Sequence, residues 1–184
     1  MRSKGKRRIR DMAYVSLFSA VIAVCSMISV PFTVPFTMQT FAVFLTLFTL
    51  GGKRGTLSLL AYVCLGLCGM PIFSGFTGGV SAFFGLTGGY LVGFILCALL
   101  YTAAEKLFGK SGTVRLICAV VGLAVCYVSG SVWFMLLYGG GTGKTGFFAA
   151  LMQCALPFIV PDALKIGLAF MLHGRIEKYI KNEV

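Results

Sequence analysis

The sequence predicts an all-α membrane protein of six transmembrane helices with both termini on the cytoplasmic side. Composition, run length and charge placement each support this. The chain is 58% hydrophobic and 11% charged, against about 45–50% and 25% in soluble globular domains. A soluble domain of similar size hides only about 68–70% of its chain's surface, so this much apolar surface calls for lipid as a second solvent. Six apolar runs follow one another, and the cations between them fall almost entirely on one side. At 184 residues a single domain is expected.

The first run is Met12–Val30, behind a basic segment at 1–11. Its 19 residues exceed the roughly 7–15 of a signal-peptide core, and no A-x-A site follows, so it is read as a retained span. Ser16 and Ala20, with Ser19 and Ala23, make a small-residue stripe along which another helix can approach closely. The second run, Thr37–Leu50, has 14 residues against the roughly 20 needed for a crossing. It either begins earlier, at Phe32, or lies partly inside the protein. Pro31 and Pro35 keep the connection before it extended.

The third run is Gly55–Ile72 and the fourth Gly88–Ala104. Between them, Phe73–Tyr90 carries six glycines (75, 78, 79, 85, 88 and 89), too many for a stable helix. Its aromatic and β-branched residues favour a packed cap over an outer cavity rather than a slack connector. The fifth run is Leu116–Tyr138. The sixth, Phe147–Leu172, is long and interrupted by Pro157 and Pro161. A membrane domain over 12–172 thus lies between a basic cytoplasmic segment and a cytoplasmic tail, 173–184.

Placing the N-terminus inside puts fourteen Lys and Arg residues on the cytoplasmic side and one, Lys144, in the outside loops 31–36, 73–87 and 139–146. Such asymmetry sets orientation, and only an even number of spans preserves it.

Several functions are excluded by residue type and place. The net charge of +11 is spent on loop anchoring at anionic headgroups rather than on a basic face interleaved with aromatics, so nucleic-acid binding is not expected. The seven cysteines lie in apolar runs without a CxxC pair or nearby His and carboxylate ligands, so no metal, cofactor or disulfide framework is expected. Cys64 and Cys68 share a helix face and read as packing residues. Gly143-Lys-Thr145 imitates the end of a phosphate-binding loop, but that loop needs glycine where Tyr138 stands. His173 has no Ser or Cys partner in a hydrolase context.

Of five acidic residues, only Asp162 falls well inside a run, and Lys165 follows one turn later. Each costs about 2.5–3.5 kcal/mol at the centre of a span, and at i,i+3 they share a face. Two roles fit: a polar cavity that meets a solute, or a self-satisfied pair that fixes the helix. Intramembrane ionisable residues favour the first. Pro157 and Pro161 leave the carbonyls of Gln153 and Pro157 without their usual partners, as suits backbone lining a cavity. Gln39 and Tyr90 are further candidates at the outer ends of their runs, and Trp133 reads as a packing residue.

In order along the chain, Pro35-Phe-Thr-Met-Gln-Thr40, Leu50-Gly-Gly-Lys-Arg-Gly55, Gly69-Met-Pro-Ile-Phe73, Gly75-Phe-Thr-Gly-Gly79, Gly85-Leu-Thr-Gly-Gly-Tyr-Leu-Val-Gly-Phe94 and Pro157-Phe-Ile-Val-Pro-Asp-Ala-Leu-Lys165 resemble the BioY family. These are the biotin-specific substrate-binding (S) components of energy-coupling factor (ECF) transporters. The resemblance covers residues 12–172. It implies the S-component fold and an outer biotin pocket touched by Asp162, Lys165, Gln39, Thr77 and Tyr90. It also implies docking to a transmembrane coupling subunit through Ser16 and Ala20, with energy from two partner ATPase subunits. Relatives often carry Asn or Arg at the position of Thr77 and Pro at that of Leu86. An S component for another vitamin and a solitary ion-coupled carrier are the alternatives. A membrane enzyme acting on lipid or isoprenoid phosphates would need more carboxylates than one Asp.

Overall fold

The computed structural model describes residues 4–31, 35–138 and 147–182. The loop 139–146, with Lys144 and the Gly143-Lys-Thr145 tripeptide, lies outside the described residues, as do residues 32–34, with the earlier start at Phe32. Helix α1 (Lys4–Met27) leads into a short antiparallel ribbon, β1 (Ser29–Val30) with β2 (Phe36–Thr37), in the register Ser29↔Thr37 and Val30↔Phe36. There follow α2 (Gln39–Leu50), α3 (Gly52–Leu67), α4 (Gly79–Phe83), α5 (Gly88–Phe108), α6 (Gly112–Tyr138), α7 (Phe147–Cys154) and α8 (Ile159–Asn182).

Among the described residues, four segments are long and apolar enough to cross a bilayer: Arg8–Met27, Gly88–Phe108, Gly112–Leu137 and Phe148–Lys178. Their outer faces expose Leu17, Val24, Leu99, Val120, Leu164 and Met171. That is the surface lipid would cover, and in water it would be an aggregation liability. The short second run finds its explanation here. Every residue of α2 except Phe41 is buried, because α8, α3, α1 and α5 surround it. It is an internal strut, and its length answers to its neighbours.

Helix ends follow local chemistry. α3 stops at Leu67, short of the expected Ile72, in a Schellman turn. The Met70 N–H bonds the Leu65 carbonyl and the Gly69 N–H that of Gly66. Gly69 takes φ 100°, a left-handed value that glycine adopts without a Cβ penalty, and Pro71 follows. At the other end, Glu105 accepts from the Gly52 N–H at 2.6 Å, placing a carboxylate at the positive end of α3. α5 runs a turn beyond the expected Ala104 to Phe108 and is capped by Gly109 at φ 81°.

The sixth run is broken rather than kinked. α7 ends at Cys154, a 3₁₀ turn covers Leu156–Phe158, and α8 starts afresh at Ile159. Pro161 is the third residue of α8, where a helix lacks intrahelical partners for its N–H groups in any case, so it costs that helix little. Asp162 thereby falls in the first turn of α8, where the helix dipole favours a negative charge.

The glycine-rich stretch is packed. Trp133 Nε1 donates to the Gly85 carbonyl at 3.0 Å, and Phe84 stacks on the indole at 6.0 Å between centroids. Phe73 meets Tyr62 edge-on at 5.6 Å. One short helix, α4, forms inside the stretch despite its glycines.

Candidate solute-binding site

The break before α8, the β1–β2 ribbon, the glycine-rich stretch and the start of α5 converge on one cavity. Its polar lining includes Thr37, Gln39, Thr40, Ser74, Thr87, Tyr90, Asp162 and Lys165, with Phe36, Phe94 and Phe158 as apolar walls. The free space is about 50 Å³, well below the ~300–1,000 Å³ of small-molecule pockets. Phe36 and Phe158 stack across it at 6.1 Å and 12° between planes.

Asp162 and Lys165 are 5% and 6% exposed. Lys165 Nζ donates to Asp162 Oδ1 at 2.8 Å and to the Thr37 carbonyl at 2.7 Å, and it sits 3.6 Å above the Phe36 ring centroid. The Tyr127 hydroxyl donates to Asp162 Oδ2 at 2.8 Å. The charges satisfy each other, and both residues line the cavity. Mutual neutralisation makes burial tolerable, and the remaining lone pairs of the carboxylate stay available to a hydrogen-bond donor.

Gln39 and Tyr90 also line the cavity, as the sequence suggested. Gln39 Nε2 donates to the Tyr62 hydroxyl at 3.2 Å, which in turn donates to the Ile72 carbonyl at 3.4 Å. The Tyr90 hydroxyl donates to the Cys154 carbonyl, one of the backbone acceptors that the end of α7 leaves unpaired. The break thus gives Tyr90 the Cys154 carbonyl as its partner, where the prolines had pointed to the carbonyls of Gln153 and Pro157. The Tyr90 ring rests on Gly130 of α6, where a Cβ would come within 2.5 Å of Cζ.

Thr77 stands apart. It is exposed, does not line the cavity, and donates to the Ser74 carbonyl at 3.0 Å. Ser16 and Ala20 are exposed on α1, away from this site. Tyr127, Ser74 and Gly130 escaped the sequence reading. A tyrosine, a serine and a glycine are ordinary in apolar helices and loops, and only the bond from Tyr127 to Asp162 of α8 and the packing of α6 against α5 give the first and last their meaning. Among the described residues, no three His, Cys, Asp or Glu side chains converge on a metal position.

An apolar-surfaced helical bundle with several helices long enough to cross a bilayer is a multi-pass membrane protein. The chain belongs to the BioY family, whose model matches residues 1–182. The biotin transporter BioY of Thermotoga maritima is 38% identical over 172 residues, 92% of this chain and 97% of that one. The probable biotin transporter BioY of Pyrococcus horikoshii is 35% identical over 171 residues, 92% and 98% of the two chains. The crystal structure of the S-component for biotin from an ECF-type ABC transporter superposes with a TM-score of 0.82 at 24% identity, covering 97% of this chain and 95% of the other. That likeness shows a shared fold.

Proposed function

We propose that this chain is the biotin-capture subunit of a vitamin uptake transporter, a binding protein rather than an enzyme. Membership of the BioY family and relatives named as biotin transporters support the ligand. The observation that carries the site is the Asp162–Lys165 pair, buried yet lining a cavity. Biotin offers two ureido N–H donors, a carbonyl acceptor and a carboxylate. A carboxylate, an amide and an ammonium in one cavity are complementary to that set. Lys165, Asp162, Gln39 and Tyr90 are the proposed contacts. Thr77 acts from outside the cavity wall.

A cavity this small has to widen for a bicyclic ligand. Phe36 and Phe158 form the cover that moves, since a ring stack and one Lys165–Thr37 bond hold it on this side. In the bilayer the chain makes six crossings with both ends in the cytoplasm, as the fourteen-to-one cation asymmetry requires. It forms one membrane domain. The exposed Ser16 and Ala20 on α1 offer a flat stripe for a transmembrane coupling subunit, and two ATPase subunits supply the energy.

Titration of the purified chain with biotin tests this directly. Saturable one-site binding is expected, together with uptake that requires ATPase partners. No saturable binding, or uptake driven by an ion gradient through the chain alone, overturns the reading.

A further inference from the structure

Ser74 lines the same cavity as Asp162 and Lys165. Its hydroxyl oxygen is closed off from solvent and has no hydrogen-bond partner among the described residues. Buried hydroxyls rarely stay unpaired, because each forfeits its hydrogen bond to water without replacement. Three of the site's other polar groups are engaged within the protein: Asp162 by Tyr127 and Lys165, Lys165 by the Thr37 carbonyl, and Tyr90 by the Cys154 carbonyl. Among the described lining residues, Ser74 is the one whose polar side-chain atom is both closed off from solvent and without a partner.

The backbone around Ser74 holds it there at some cost. The Phe73 N–H bonds the Thr77 carbonyl at 2.9 Å, and the Thr77 hydroxyl closes the same turn onto the Ser74 carbonyl at 3.0 Å. Inside the turn, Gly75 takes φ 71° and Phe76 φ 59°. Phe76 is thus a bulky residue in the left-handed region, with its side chain exposed. Such conformations persist only where the surroundings over-determine them, and they gather at ligand clamps. Phe73 anchors the turn from below, its ring filling the space over Gly66, where a Cβ would come within 2.2 Å.

We infer that Ser74 contacts the ligand, its hydroxyl donating to an acceptor oxygen of the bound solute, and that Thr77 is a positioning residue which acts through Ser74. This rests on the proposed biotin site and adds a contact to it. It also reassigns the role expected of Thr77, whose hydroxyl is spent on the turn.

The test is calorimetric titration of the full chain in lipid nanodiscs with biotin, paired with thermal unfolding of the ligand-free protein. Ser74→Ala is expected to weaken biotin about 3- to 10-fold, the range of one neutral hydrogen bond. Its ligand-free melting temperature should be unchanged or higher, since the substitution removes an unpaired buried group. Ser74→Cys, with a weak donor of similar size, should fall between. Thr77→Val should weaken biotin by a smaller factor, and Thr77→Ser should restore it. Wild-type affinity in Ser74→Ala overturns the inference, as does a matching loss of ligand-free stability, which would make the hydroxyl structural. If wild type binds and Lys165→Ala does not, a silent Ser74→Ala counts against this contact alone. If wild type takes no biotin, the site reading fails and this inference with it.

Discussion

Among its described residues, helix α8 carries two ion pairs, one near each end, and they solve different problems. Asp162 and Lys165 lie at its start, within one turn of each other, with side chains 7% exposed. Near its end Glu177 reaches across to Arg115 of α6 at 3.2 Å, with side chains 23% and 12% exposed. The second pair joins two helices and balances a carboxylate placed at the unfavourable, negative end of a helix dipole. The first cannot staple helices to each other, because both partners sit on one helix. It is nonetheless the more deeply buried, and burying a pair returns little net stability. Its side chains do hold neighbours, through Tyr127 of α6 and the Thr37 carbonyl, but the ionic bond itself joins no two elements, which suits the binding role proposed for it.

The strongest way to break this contrast is Lys165→Ala. Leaving Asp162 uncompensated in the cavity should weaken biotin by about 30-fold or more, given the ~2–5 kcal/mol typical of truncating one partner of a buried charge pair. Unchanged affinity with the protein still inserted would make the pair structural. The double variant Asp162→Asn with Lys165→Met sharpens the point. It should keep or raise ligand-free stability, as neutral replacements of buried pairs often do, while binding is abolished; retained binding would separate the pair from the ligand.

Gly130→Ala comes next. The new methyl would press on the Tyr90 ring, costing ~1–3 kcal/mol of stability by overpacking and about tenfold in affinity as Tyr90 shifts into the cavity. Wild-type titration and melting curves would show that the ring is free to yield.

Arg115→Met probes the other pair. It should lower stability by only ~1 kcal/mol, near the upper range for partly exposed pairs, and leave biotin affinity alone. A large affinity loss would mean that the two ends of α8 are coupled. The smallest effect on the site belongs to Ala20→Leu, on the exposed stripe of α1. Binding and melting should match wild type while co-purification of the coupling subunit falls, and equal loss of binding and assembly would rule out a docking role.

Much of the architecture was legible because lipid imposes simple rules. The runs at Gly88–Ala104 and Leu116–Tyr138 reappear as long helices, since a backbone in hydrocarbon must satisfy its own hydrogen bonds. Met12–Val30 does so only as far as Met27, its last residues forming β1. Asp162 and Lys165 could be singled out because charge inside an apolar run is costly and therefore informative. Less was legible where meaning depends on neighbours. The length of α2 signalled only that something was unusual, and its burial on all sides emerged from the packing of α8, α3, α1 and α5. Pro157 and Pro161 announced an interruption, yet whether the helix bends or restarts depends on who accepts the orphaned backbone groups, and Tyr90 supplies one answer at Cys154. Thr77 sat in the right stretch, but three residues from the serine that faces the cavity, because two left-handed residues turn the chain between them.

By itself the sequence determined an apolar, helical chain with its cations gathered in alternate connections and one Asp–Lys pair on its sixth run, because hydropathy, charge cost and i,i+3 spacing are properties of the chain alone. Only the tertiary structure decided that Tyr127 grips Asp162, that Lys165 reaches back to Thr37, that Gly130 seats Tyr90 and that Ser74 keeps an unspent hydroxyl. Those facts are distances between residues 35 to 128 positions apart, or between a side chain and a cavity. Local pattern carries no term for either.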